Sequence, residues 1–155
     1  MDFDDLSKEI SGELTDGFLH VLLESMSFCF DAPLIGDVFK DIKEFRRNID
    51  GFEGRYLFVS EDGAICEAAT FKKNKMKVKK DIDLEDRKIN NWDIIVRFKN
   101  ARALRNYLFS EDQDILNLIL TNDVEVEGNL NYLFKFGFIS KDLLRKTGLD
   151  KLQLN

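Results

Sequence analysis

This 155-residue chain holds one proline, one histidine, one tryptophan and two cysteines. Each scarcity excludes something. Cys29 and Cys66 are too few for a disulfide scaffold, and no CxxC pair or His–Cys cluster offers the spacing of a metal site. No metal and no other cofactor is expected. The single histidine, His20, has no serine or cysteine in a fixed relation to it, so it reads as a residue at the edge of a helical stripe rather than a catalytic base. Gly51-x-x-Gly54 lacks the third glycine and the basic residue of a phosphate-cradling loop. The opening MDFDDLSKEISGEL has no basic region ahead of an apolar run, so it does not read as a signal peptide. No apolar run approaches the roughly 18–20 residues that span a bilayer. Lys and Arg number 23 against 29 Asp and Glu, a net charge of −6. That balance argues against non-specific affinity for nucleic acid or for anionic membranes. The expectation is a reduced, cytoplasmic protein without a nucleic-acid partner.

What is abundant is phenylalanine. Fourteen Phe dominate an aromatic content of 12%, in a chain that is 44% hydrophobic and 34% charged. This is the composition and length of one globular domain, able to bury a core without staples. The Phe residues either build that core or wall a cavity for an apolar guest, and composition leaves both readings open.

Periodicity supplies the elements. Leu14, Phe18, Val21, Leu22 and Met26 form one helical stripe between Glu13 and Phe30. Pro33 suits the first turn of a second helix, running to about Asn48 with Val38, Ile42 and Phe45 on one face. Arg55–Val59 then reads as a strand, Asp62-Gly63 as a hairpin signal, and Ala64–Phe71 as the returning strand. Lys75–Lys79 alternates strictly and completes a three-strand meander. Asp81–Asn91 is unpatterned and reads as a crossover. A fourth strand follows, with Trp92, Ile94, Val96 and Phe98 expected on one face. Asn100 is the cap of a helix from Ala101 to Phe109, and Ser110 of the next, which carries Glu111, Asp112 and Asp114 in its first turn and then Ile115, Leu116, Ile119 and Leu120. Asp123–Glu127 alternates as a last strand, Gly128 ends it, and Asn129 caps a greasy helix from Leu130 to about Ile139. Ser140 is expected to restart a short polar tail helix. The expected class is α+β.

Chemistry is hard to find in this pattern. Glu125 and Glu127 share the solvent side of a strand, where neither carboxyl has the apolar setting an acid/base pair needs. Cys29 and Cys66 read as inert packing. Six lysines between Lys72 and Lys80 form the solvent face of a strand and discourage edge pairing, with docking on an acidic membrane as the other reading. The last helix is different. Seven of the ten residues Leu130–Ile139 are apolar, more than one stripe requires, so the sheet, a bound ligand or a second chain must cover the excess.

Trp92-Asp93-Ile94-Ile95-Val96, the helix of Leu104 and Leu108, Ile115-Leu116-Asn117-Leu118 and above all Val126-Glu127-Gly128-Asn129-Leu130 before an apolar helix resemble the sterol-carrier-protein-2 domain. The resemblance spans about Asp37 to Leu144. Glu125 and Glu127 depart from it, since relatives are often basic there, and residues 1–31 lie outside the usual domain. It implies a mixed five-stranded sheet covered by helices in residues 32–155, behind an amphipathic helical extension. It implies non-enzymatic binding of a fatty acyl or sterol-like ligand in an apolar tunnel. Trp92, Phe109, Leu116, Ile119, Leu120, Leu133, Phe134 and Phe138 are the expected pocket residues. The partners expected are a hydrophobic small molecule or lipid, transiently a membrane, and a second copy through the N-terminal helix. The alternative is a protein-interaction or dimerisation module with no ligand.

Overall fold

The computed structural model describes residues 17–31, 39–109 and 112–147. Leu14, Pro33, Val38, Ser110 and Glu111, which enter the sequence reading, lie outside them, as do the side chains of Asp112 and Asp114. The elements are α1 (Phe18–Asp31), α2 (Phe39–Arg46), β1 (Gly54–Ser60), β2 (Cys66–Lys72), β3 (Lys75–Lys80), β4 (Ile94–Phe98), α3 (Ala101–Phe109), α4 (Asp112–Leu120), β5 (Val124–Gly128) and α5 (Leu130–Thr147).

The five strands form one mixed sheet in the order β3-β2-β1-β4-β5. β1, β2 and β3 are an antiparallel meander. The second hairpin closes in a two-residue turn, because Lys72 pairs with Lys75 and both residues between, Lys73 and Asn74, have positive φ (53° and 60°). That is the turn whose twist matches paired strands. Residues 81–93 then cross the sheet, with single 3-10 turns at Leu84–Asp86 and Ile89–Asn91, and lay β4 parallel to β1. β5 returns antiparallel on β4.

The period-2 alternation of the strands divides the apolar residues between two faces. On one, Tyr56, Phe58, Ala69, Phe71, Met76, Ile94, Val96, Phe98 and Val124 join the helices in the main core. On the other, Leu57, Ala68 and Ile95 meet Ile82 in a small cluster beneath the crossover. All the helices lie over the first face. α1 packs against β3 and touches α2 and α5, while α5 rests on β4 and against α2 and α3. Phe18, Leu19, Leu22, Leu23, Met26, Cys29 and Phe30 of α1 are buried, so its stripe is spent inside this chain.

Caps follow the sequence. The Asn100 side-chain oxygen accepts from the Ala103 amide at 3.0 Å, and Asn129 from the Asn131 amide at 2.9 Å. Two expectations need correction. Ser140 restarts nothing: α5 is one helix of 18 residues, because no glycine cap or proline interrupts it and Ser140 faces the core, fully buried. Trp92 does not share a face with Ile94, Val96 and Phe98. The strand starts two residues later, and Trp92 still belongs to the crossover, where it packs on the small outer cluster.

Candidate functional site

The layer between sheet and helices is filled by rings. Phe58 meets Phe136 of α5 at 4.7 Å between centroids, Tyr56 meets Phe136 at 5.6 Å, and Phe98 meets Tyr107 of α3 at 5.9 Å. All five are at 0% exposure. Their polar ends are satisfied: the Tyr107 hydroxyl donates to the Leu133 carbonyl at 2.6 Å and the Tyr56 hydroxyl to the Tyr132 carbonyl at 2.8 Å. Burial raises the Tyr56 phenol well above its ordinary value, so it stays a neutral donor. This block is a packed core.

The expected pocket residues divide around it. Leu133 is fully buried within the core, and Phe109, Ile119 and Phe134 pack against its margin half-buried. Leu116, Leu120 and Phe138 face solvent, at 48%, 79% and 55% exposure. Trp92 lies across the sheet from all of these, and its indole N–H donates to the Asp86 carbonyl. Seven of the eight therefore lie on the helical side, in the order floor, margin and surface, and one does not. On α4 the exposed pair Leu116 and Leu120 are one turn apart; on α5 Phe134 and Phe138 are one turn apart.

Two clefts of about 420 Å³ each open beside Tyr132, which sequence patterning did not reveal. The first lies between Gly54, Arg55, Phe71 and Lys72, the second between Gly51, Phe52, Asn131 and Lys135. Gly54 makes room for the ring, since a Cβ there would stand 2.9 Å from Tyr132. The Lys135 ammonium sits 5.3 Å from the Phe52 ring centroid. Arg55 is held by Asp93, which accepts the Arg55 amide at 2.8 Å and its guanidinium at 3.4 Å. Apolar floors with mixed-charge rims suit an amphipathic guest more than a fully apolar one.

Titratable groups inside the fold act as ties. His20 Nδ1 hydrogen-bonds the carboxylate of Glu67, a buried β2 residue, joining α1 to the sheet. Burial raises the Glu67 carboxyl, against the opposing pull of His20 and Lys80. Burial pushes the Cys29 thiol up to about 12, which keeps it protonated and poorly nucleophilic. Burial also works against the Asp142 carboxylate, yet hydrogen bonds from Lys146 and Asn48, with the charges of Lys146 and Arg145, hold it below the ordinary range.

Among solved structures the chain is similar to one described as "UbiJ-SCP2 Ubiquinone synthesis protein", with 14% identity, a TM-score of 0.53, and coverage of 81% of this chain and 93% of that one. The fold is sterol-carrier-protein-2-like. A stereoselective inverting sec-alkylsulfatase, Pisa1 from Pseudomonas sp., matches at 14% identity and a TM-score of 0.50 over 86% of this chain, which spans 17% of that one. The apo sterol carrier protein 2 of Yarrowia lipolytica also matches, at 14% identity and a TM-score of 0.48, over 79% of this chain and 89% of that one. No family model and no curated protein matches the sequence. On this sterol-carrier-protein-2-like sheet, no helix among the described residues is long and apolar enough to cross a membrane.

Proposed function

We propose that the chain binds a hydrophobic ligand of the lipid class, fatty acyl or sterol-like, and carries it without chemistry. The observation that supports this is the apolar surface left on the last helices of a sterol-carrier-protein-2-like fold: Leu116, Leu120 and Phe138 exposed, with Phe109, Ile119 and Phe134 half-buried. The proposed ligand lies against these six side chains, with Leu133 in the floor. It lies at the rim of the helical layer because the aromatic block below is already packed. Trp92, on the opposite face, takes no part. Fully burying a Leu or Phe side chain is worth about 1.5–3 kcal/mol, so covering three that are roughly half to four-fifths exposed returns on the order of 4 kcal/mol. Each methylene of the ligand adds about 0.8 kcal/mol. Affinity then comes from burial with few polar contacts, and apolar walls discriminate poorly between lipids.

Displacement of a fluorescent fatty acid tests the reading. Binding at micromolar lipid is expected, weakened at least about tenfold when Leu116, Leu120 and Phe138 are all replaced by serine. Absence of binding by the unaltered protein rejects it. The packed block favours a second reading, an interaction module in which the same three side chains meet another protein surface. A dimeric mass by light scattering, abolished by the same triple replacement and with no lipid retained in native mass spectrometry, would select that one.

A further inference from the structure

The β2–β3 hairpin carries a run of lysines toward its turn. Lys72, Lys73, Lys75, Lys77 and Lys79 are exposed, and among the described residues none of the five makes an ion pair. β3 is an edge strand, and Lys75, Lys77 and Lys79 project from the same face of it at intervals of roughly 7 Å. Lys72 stands directly opposite Lys75, a like-charge pairing that works against the hairpin. Lys73 occupies a position with φ of 53°, where glycine or asparagine is at ease and a lysine is strained. Edge lysines by themselves discourage an edge strand from pairing. That does not need a repulsive cross-strand pair and a strained tip as well.

We infer that this hairpin is a docking surface for an anionic lipid bilayer. The strip carries no arginine fork and no exposed aromatic ring; Phe71 and Met76 turn inward and are buried. Nucleic-acid sites combine cations with stacking platforms or base-edge contacts, and those are missing here. Flexible, hydrated ammonium groups in a row suit a diffuse negative surface. The net charge of −6 works against the approach of the chain as a whole, so docking relies on this local strip. Asp81, Asp83, Glu85 and Asp86 follow the strand, so the attraction is strongest toward the turn, at Lys72, Lys73 and Lys75. The inference does not depend on the ligand reading.

The test is co-sedimentation of the whole chain with vesicles of phosphatidylcholine containing about 30 mol% phosphatidylserine, beside pure phosphatidylcholine. Binding is expected on the first and not the second, and it should vanish at about 0.5 M salt. Each lysine near such a surface contributes about five-fold, so Lys72→Gln, Lys73→Gln and Lys75→Gln together should lower partitioning about 100-fold. The three side chains are exposed, and circular dichroism should report an unchanged fold. Fatty-acid displacement by the triple variant should also be unchanged, which separates docking from ligand binding. Absence of binding to phosphatidylserine vesicles, equal binding by the triple variant, or tighter binding to a single-stranded oligonucleotide than to vesicles would each overturn the inference.

Discussion

Replacing Gly128 by alanine should unfold this protein more readily than the same change at Gly51 or Gly63, the other described glycines with positive φ. Gly128 ends β5 at φ +110°, and a Cβ there would lie 2.4 Å from the Asp93 carbonyl oxygen and 3.1 Å from the Ile94 Cα. Gly63 and Gly51 also have positive φ, 78° and 67°, but nothing stands within 4 Å of their added Cβ. All three substitutions share a conformational cost of about 1–2 kcal/mol. Only at Gly128 is there an obstacle, and it is main chain, which cannot rotate aside. Relief requires β5 to move off β4, loosening the Ile94–Gly128 end of the ladder and the 3.3 Å bond from the Asn129 amide to the Asp93 carbonyl. Each lost bond adds about 1 kcal/mol, for a total of roughly 3–4 kcal/mol. With a urea slope of about 2 kcal/mol/M, the Gly128→Ala midpoint should fall about 1 M below that of Gly63→Ala. Midpoints agreeing to within about 0.3 M would show that the close approach carries no energy and would refute the reasoning.

Other perturbations follow from the buried polar groups. The raised carboxyl of Glu67 means the native state holds its proton more readily than the unfolded chain. Stability from this group is therefore full below the unfolded value of 4.5 and lost as pH rises through the folded one. Wild type should gain on Glu67→Gln as pH falls from neutral toward 4.5, and urea midpoints that keep a constant difference would contradict this. Asp142 has the opposite sign. Its lowered carboxyl contributes stability above 3.8 that disappears as pH falls through the folded value, so Asp142→Asn should cost about 1 kcal/mol at neutral pH and nothing in strong acid. The Ser140 hydroxyl is buried without a hydrogen-bond partner among the described residues. Ser140→Ala should raise stability by about 1 kcal/mol in thermal unfolding, and a lower melting temperature would indicate a bound water there.

The strands were legible because alternation is a local signal. Lys75-Met76-Lys77-Val78-Lys79 announces one buried face whatever lies beside it, and β3 has it. Asn100 and Asn129 announced their helices for the same reason. Trp92 was misplaced because its face is set by the path of the crossover, which depends on β4 pairing with β1 some forty residues earlier. The surface of α4 was illegible in another way. Ile115, Leu116, Leu118, Ile119 and Leu120 are apolar on every side of the helix, so periodicity cannot tell the buried Ile115 from the exposed Leu120. The tie between His20 and Glu67 spans 47 residues. Its only trace in the sequence was a histidine at the edge of an apolar stripe.

The position of Trp92 fixes what light can report about this molecule. It is the sole tryptophan, and it sits under the crossover on the face away from the helices. Its emission, excited selectively over the three tyrosines of the helical side, is therefore a local gauge of whether residues 81–93 stay clamped on Leu57, Ala68 and Ile95. It is blind to events beside Leu116 or Phe138. A fluorescence transition that runs ahead of the helical signal in far-UV circular dichroism would mean that the strap opens as a unit of its own, before the sheet parts from its helices.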